Sequence, residues 1–288
     1  MLNRILRQLN GSIVNSMQNI RKNSVLTMSN QLKIASLQLN IAWAEIDENL
    51  KEAERLIASL PEGYDIAVLP EMFTTGFITD RNLALSMAET NGGRTLEKIT
   101  QWAKRYNIAI VCSIIVEYGE QLRNRAYFVE PSGEITFYDK RHLFEISGEN
   151  LIYTGGSKPV PVVRYRGWNI AFAVCFDLRF PAWLRNDKGA YDLLIIVANW
   201  PDSRRYAWEH LLIARAIENQ SYVVGTNRSG IDKYGVYSLS SMTVDPKGMQ
   251  IGSVYSEFVH IAELNKEMLE AFRGKFPIYM LNDDFSIN

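Results

Sequence analysis

The chain has 288 residues, 47 % of them hydrophobic and 22 % charged, with a formal net charge of −1. This is an ordinary globular balance with enough apolar material for a sizeable core, and it gives no overall electrostatic case for a nucleic-acid partner. No apolar run approaches the ~18 residues of a membrane span, and two cysteines, Cys112 and Cys175, cannot make a disulfide framework and fit a reducing, cytoplasmic compartment.

The first 28 residues stand apart. They carry Arg4, Arg7, Arg21 and Lys22 and no acidic residue. Three readings are open for this basic extension over 1–30: an organelle transit peptide, a disordered tail, or a start assigned too early, with Met28 the true start. Residues 31–288 carry no linker or repeat and are expected to form one domain.

Taken in chain order, 33–40 reads as a strand. Asp47 is placed to cap a helix running to about Leu60, with Leu50, Ala53 and Ile57 at helical spacing. The short apolar run 65–70 is a strand, Thr95 opens a helix to Tyr106, and 108–116 is a wholly apolar central strand. Pro131-Ser132-Gly133 joins a hairpin of 125–130 and 134–138, and Arg166-Gly167 joins another of 160–165 and 168–174. Pro181 is placed to start a helix. A buried strand over 191–198, a helix over 204–219 and strands over 221–227, 237–244, 249–255 and 258–264 complete the chain. Helices alternate with strands early and hairpins dominate late, so the fold class is α/β with a mixed sheet and helices outside it.

Three apolar strands end in reactive side chains: Glu71, Lys140 and Cys175. In α/β proteins chemistry gathers where strands give way to loops. A thiol needs a base or a nearby cation to act as a nucleophile. Histidine is the usual base, and His142 cannot be dismissed on direction. His210 and His260 lie inside a helix and a strand and read as structural. A buried carboxylate also serves, taking the thiol proton and returning it to a leaving amine, while a charged lysine stabilises anions. Glu, Lys and Cys are therefore chemically sufficient for attack on a carbonyl or nitrile carbon. Cys112, in the middle of IAIVCSIIV, reads as core, and Asp177 and Arg179 as a pair across the turn after Cys175. No metal-ligand spacing is present, Thr154-Gly155-Gly156 reads as a turn rather than a phosphate loop, and no cofactor is expected.

The stretches LPEMFTTGF, YDKRHLF and VCFDLRFP resemble, in order, the three motifs of the nitrilase superfamily, the carbon–nitrogen hydrolases, and the likeness runs from about Lys33 to Arg273. The resemblance implies a four-layer α-β-β-α sandwich, at least dimeric. It implies a triad of Glu71 as base and then acid, Cys175 as carrier of a thioester, and Lys140 with the backbone N–H of Phe176 holding the oxyanion. Glu149 resembles the family's second active-site glutamate.

The stretch from ANWPDSRRYAW to TNRSG resembles the bacterial ω-amidase branch, which hydrolyses the terminal amide of 2-oxo acids such as 2-oxoglutaramate and 2-oxosuccinamate. A small-molecule amide is then the expected partner. Asn199, Trp200 and Pro201 are placed at the pocket mouth, Arg204 rather than the adjacent Arg205 on the substrate carboxylate, and Phe77, Phe144 and Trp200 along its carbon chain. The rival readings are another amidase of the family, such as one for deaminated glutathione, a nitrilase, a cysteine hydrolase using His142, and a non-catalytic binding subunit.

Overall fold

The structure, a computed structural model, describes residues 30–90, 93–281, 283 and 286. The basic extension lies outside the described residues, apart from Asn30. The first half of the chain forms β1 (Gln31–Leu37), α1 (Ile46–Ala58), β2 (Ile66–Val68), α2 (Arg81–Met87), β3 (Glu89–Thr90), α3 (Arg94–Tyr106) and β4 (Ala109–Tyr118). The hairpin of β5 (Gln121–Val129) and β6 (Ile135–Asp139) follows, then two 3-10 turns, Glu145–Ser147 and Glu149–Leu151. The second half runs through β7 (Val162–Tyr165), β8 (Trp168–Val174), a 3-10 segment Cys175–Arg179, β9 (Leu193–Ala198), α4 (Arg205–Asn219) and β10 (Tyr222–Asn227). It closes with β11 (Gly230–Asp232), β12 (Gly235–Tyr237), β13 (Met242–Val244), β14 (Gln250–Ile251), β15 (Ser253–Ser256), β16 (Val259–Asn265) and α5 (Lys266–Lys275).

Two large sheets result. One has the order β15-β16-β1-β2-β4-β5-β6, with β3 beside β4; the other is β14-β13-β10-β9-β8-β7. The central strands β1, β2 and β4 are parallel, as are β8, β9 and β10, while the flanking pairs other than β3 on β4 are antiparallel. Both sheets are therefore mixed.

Strand periodicity sorts the faces. Ile34, Val68, Val111 and Phe128 of the first sheet pack toward the second, where Phe128 meets Phe172 and Tyr165. Thr226 Oγ1 donates to Ser36 Oγ across this interior at 2.8 Å. The alternate residues Ala35, Leu69, Ile110 and Cys112 face α1 and α3, through Leu50, Leu56, Ile99 and Trp102. On the far side of the second sheet, Trp208 and Leu212 of α4 lie against Gly225 so closely that a Cβ there would overlap both. The layer order is thus α-β-β-α.

Several local expectations are corrected. Asp47 sits inside the first turn of α1, whose N-cap is Glu45, and instead pairs with Arg94. Residues 181–184 form a turn rather than a helix, the helical segment having been spent on Cys175–Arg179. The 237–244 run breaks into β12 and β13, and 249–255 into β14 and β15. The helices α2 and α5 were not expected, although each has a side-chain cap, Asp80 on Leu83 N and Asn265 on Met268 N.

Candidate active site

Four strand ends converge at one rim. Glu71 follows β2, Lys140 follows β6, Cys175 follows β8 and Asn199 follows β9. Glu149 opens the second 3-10 turn beside them. Glu71 and Glu149 are fully buried and Lys140 is 1 % exposed.

Lys140 Nζ donates to Glu71 Oε1 at 2.9 Å and lies 2.9 Å from each oxygen of Glu149. Glu71 also accepts from Asn124 Nδ2 on Oε1 and from the Asn199 backbone N–H on Oε2, at 2.8 and 2.9 Å. Glu149 Oε2 accepts the Phe144 backbone N–H at 2.5 Å. The Asn199 side chain donates to the Glu71 carbonyl, which ties the strand ends together.

The electrostatics follow from burial. Burial pushes the Cys175 thiol well up, and the neighbouring Glu71 charge and a hydrogen bond to it push the same way; Lys140 and the Asn199 N–H oppose. Burial works against the Lys140 ammonium, but the charges of Glu149, Glu71 and Cys175 outweigh it and hold it protonated. Burial raises Glu149, against Lys140 and with Glu71. Burial and the Glu71 charge thus favour the protonated thiol, beside a buried ammonium held between Glu71 and Glu149.

Cys175 adopts a left-handed backbone conformation, φ +46°, uncommon for a residue with a side chain and concentrated at functional sites. Asp177 staples this turn: it accepts from the Val174 N–H at 3.2 Å, from Tyr138 Oη at 2.9 Å and from the His142 N–H at 3.0 Å. His142 Nδ1 lies 2.8 Å from the same carboxylate, and its ring stacks on Phe180. Two expectations change here. Asp177 is paired with His142 rather than Arg179, and His142 is not among the residues lining the cavity.

The Gly155-Gly156 turn lies against the end of β6. Gly156 N–H donates to the Lys140 carbonyl at 2.9 Å, and a Cβ on Gly156 would overlap the carbonyl of Asp139.

Above the reactive side chains opens a cavity. Its lining includes Glu71, Lys140, Cys175, Phe77, Phe144, Phe176, Asn199, Trp200 and Arg204, so most of the sequence-derived site residues meet in one place. Glu149 lies behind Lys140, outside the lining. Arg205 is turned away and pairs with Glu209 at 2.6 Å. Pro201, expected at the mouth, is in the lining too, while the sequence reading missed Arg179, Tyr234, Tyr237 and Ser147, which also line the cavity. Arg204 lies over the Phe144 ring and Arg179 over Trp200. Both are exposed, and neither is paired with an acidic group among the described residues. Tyr234 reaches the wall through a hydrogen bond between its hydroxyl and Thr79. Among the described residues no group of three His, Cys, Asp or Glu side chains has a metal-holding arrangement, and no helix is long and apolar enough to cross a membrane.

Comparison with known proteins accords with this geometry. The chain is 40 % identical over 259 residues to omega-amidase YafV of Escherichia coli strain K12, covering 89 % of this chain and 98 % of that one. It is 32 % identical to 2-oxoglutaramate amidase of Bacillus subtilis strain 168, covering 85 % and 95 %. The crystal structure of XC1258 from Xanthomonas campestris, a CN-hydrolase superfamily protein, superposes with a TM-score of 0.84 at 34 % identity, covering 90 % of this chain and 99 % of that one. The carbon-nitrogen hydrolase family model matches residues 33–273. A buried thiol, two carboxylates and an ammonium gathered at the rim of an α-β-β-α sandwich, with this span of likeness, place the chain in the carbon-nitrogen hydrolase family.

Proposed function

We propose that the protein is an ω-amidase, releasing ammonia from the terminal amide of short 2-oxo acid monoamides such as 2-oxoglutaramate and 2-oxosuccinamate. The observation that carries this reading is the convergence of Cys175, Glu71 and Lys140 in one aromatic cavity, rimmed by two arginines that have no acidic partner among the described residues. Exposed guanidinium groups at the mouth of a small cavity suit a substrate with a carboxylate at one end. The likeness to omega-amidase YafV and 2-oxoglutaramate amidase supports the same substrate class.

In this reading Glu71 accepts the thiol proton as Sγ bonds to the amide carbon. The carbonyl oxygen becomes an oxyanion facing Lys140 and the backbone N–H of Phe176, in the first turn of its 3-10 segment where amides lack helical acceptors. The two oxygens of Glu149 share one Lys140 hydrogen, leaving another for the oxyanion. Glu71 then passes its proton to nitrogen, the C–N bond breaks and ammonia leaves, with the acyl group on sulfur. Water gives a proton to Glu71 as its oxygen bonds to the thioester carbon; the C–S bond then breaks, the 2-oxo dicarboxylate leaves, and Glu71 returns the proton to sulfur. Arg204 binds the substrate carboxylate, and Phe77, Phe144 and Trp200 wall its chain.

The test is ammonia release from a panel of ω-amides and nitriles. Highest kcat/KM on 2-oxo acid monoamides, abolished in Cys175→Ala with folding intact, is the expected result; full turnover in that variant ends the proposal. We further place the protein in the cytoplasm, where its free thiols suit a reducing medium. It acts there as a homodimer, for which the exposed Tyr206 and Ile217 on one face of α4 offer an apolar surface. A light-scattering mass near the 32.9 kDa of one chain would refute the dimer.

A further inference from the structure

Asn124, within β5, is 1 % exposed and touches Glu71, Lys140 and Glu149. Its Nδ2 donates to Glu71 Oε1 at 2.8 Å and reaches Glu149 Oε1 at 3.4 Å. Its backbone carbonyl accepts the Lys140 N–H at 2.9 Å. Its Oδ1 is buried and has no hydrogen-bond partner among the described residues.

The orientation of this amide is forced. Turning it over would set Oδ1 against two carboxylates. Folded proteins rarely leave a buried acceptor unsatisfied, so the orphaned oxygen is the cost of aiming the NH2 group at Glu71 and Glu149. Without that group, Lys140 would be the one remaining donor to Glu71 Oε1 among the described residues, and Lys140 is shared with Glu149. The terminal torsion of a glutamate is broad, so one shared donor does not fix its plane. Asn124 supplies the second donor on that oxygen, and the Asn199 N–H holds the other.

We propose that Asn124 is a positioning residue for the amidase reaction, locking the plane of the Glu71 carboxylate toward the Cys175 thiol and bridging it to Glu149. The inference rests on the reading of Glu71 as the proton carrier for Cys175. Asn124 is not among the residues lining the cavity, so it acts through Glu71 rather than on substrate.

The test uses Asn124→Leu, which keeps the shape and removes the donor, and Asn124→Ser, which is smaller and cannot span the distance. Both are followed by kcat and KM on 2-oxoglutaramate and by the rate at which iodoacetamide alkylates Cys175. Expected are folded proteins with kcat lowered roughly 100-fold, KM within about threefold, and alkylation slowed about tenfold or more. Unchanged kcat and alkylation, a loss carried by KM alone, or failure of both variants to fold would each overturn the proposal, the last by making Asn124 a stability residue. Alkylation needs no assumption about the natural substrate. Slowed alkylation in a protein inactive on every amide would sink the ω-amidase reading while sustaining the role of Asn124.

Discussion

Lys140 Nζ sits 2.9 Å from both carboxylate oxygens of Glu149, with Glu71 Oε1 at the same distance on another side. One buried cation therefore serves two buried anions. Lys140→Met strands both carboxylates and is expected to cost about 3–5 kcal/mol in urea unfolding, the usual penalty for removing one partner of a buried pair. Glu149→Gln keeps the shape and is expected to fold, and under the proposed mechanism kcat falls about 100-fold through loss of an electrostatic contact to the Lys140 ammonium. Adding Glu149→Gln to Lys140→Met should recover part of the lost stability. A double variant less stable than Lys140→Met alone would contradict the shared-cation arrangement.

His142 is held by Asp177 through both its main-chain N–H and Nδ1, and its ring lies 3.6 Å from Phe180. A group so engaged is structural. His142→Ala is expected to keep kcat/KM within about fivefold and to lose about 1.5–3 kcal/mol of stability, the worth of a hydrogen bond to a charged group. Asp177→Ala leaves Tyr138 and the Val174 N–H without their acceptor and should lose both stability and activity. Ammonia-release kinetics and urea midpoints on the two variants check this pair.

The rim arginines separate by partner. Arg204→Met and Arg179→Met are each expected to raise KM for 2-oxoglutaramate about tenfold or more, since a hydrogen bond to a charged group contributes about 1.5–3 kcal/mol. Neither should move KM for a neutral amide such as propionamide. Arg205→Met, which breaks only the pairing with Glu209, should change neither. Equal effects on charged and neutral amides would remove the carboxylate clamp.

Burial raises both thiols in the folded state, Cys112 by burial alone and Cys175 by burial and Glu71. The unfolded chain loses these protons above about pH 8.5 while the folded chain keeps them. Stability is therefore whole below that pH and falls as the pH rises, by about 1.4 kcal/mol per pH unit for each cysteine. Urea midpoints from about pH 8 to about pH 9.5 should decline in the parent, and the slope should be roughly halved in Cys112→Ala. A midpoint independent of pH would show that the thiols ionise alike in both states.

The convergence of Glu71, Lys140 and Cys175 was legible because all three end apolar strands, where period and punctuation are strongest. Asn124 was not, since it lies in mid-strand. Its inward direction depends on the antiparallel register that pairs Arg125 with Asp139 and so brings Asn124 against Lys140. Tyr234 reaches the cavity from the β11–β12 hairpin, anchored by Thr79 at a separation of 155 residues, a contact no local pattern encodes. Arg179 was assigned to Asp177 by proximity in the chain; the tight turn at Cys175 sends the two side chains opposite ways, Asp177 inward to Tyr138 and Arg179 over Trp200. The caps Asp80 and Asn265 were present in the sequence, but short amphipathic segments do not outweigh their neighbouring strands in a periodicity reading.

The lysine end of the site depends on a residue with no side chain. Because Gly156 fits under the Asp139 carbonyl only for want of a methyl group, alanine there would push the strand end outward and carry the ammonium away from its acids. Such a protein would retain every reactive group in its sequence and satisfy any motif search, yet be inert. What it would lack is empty space.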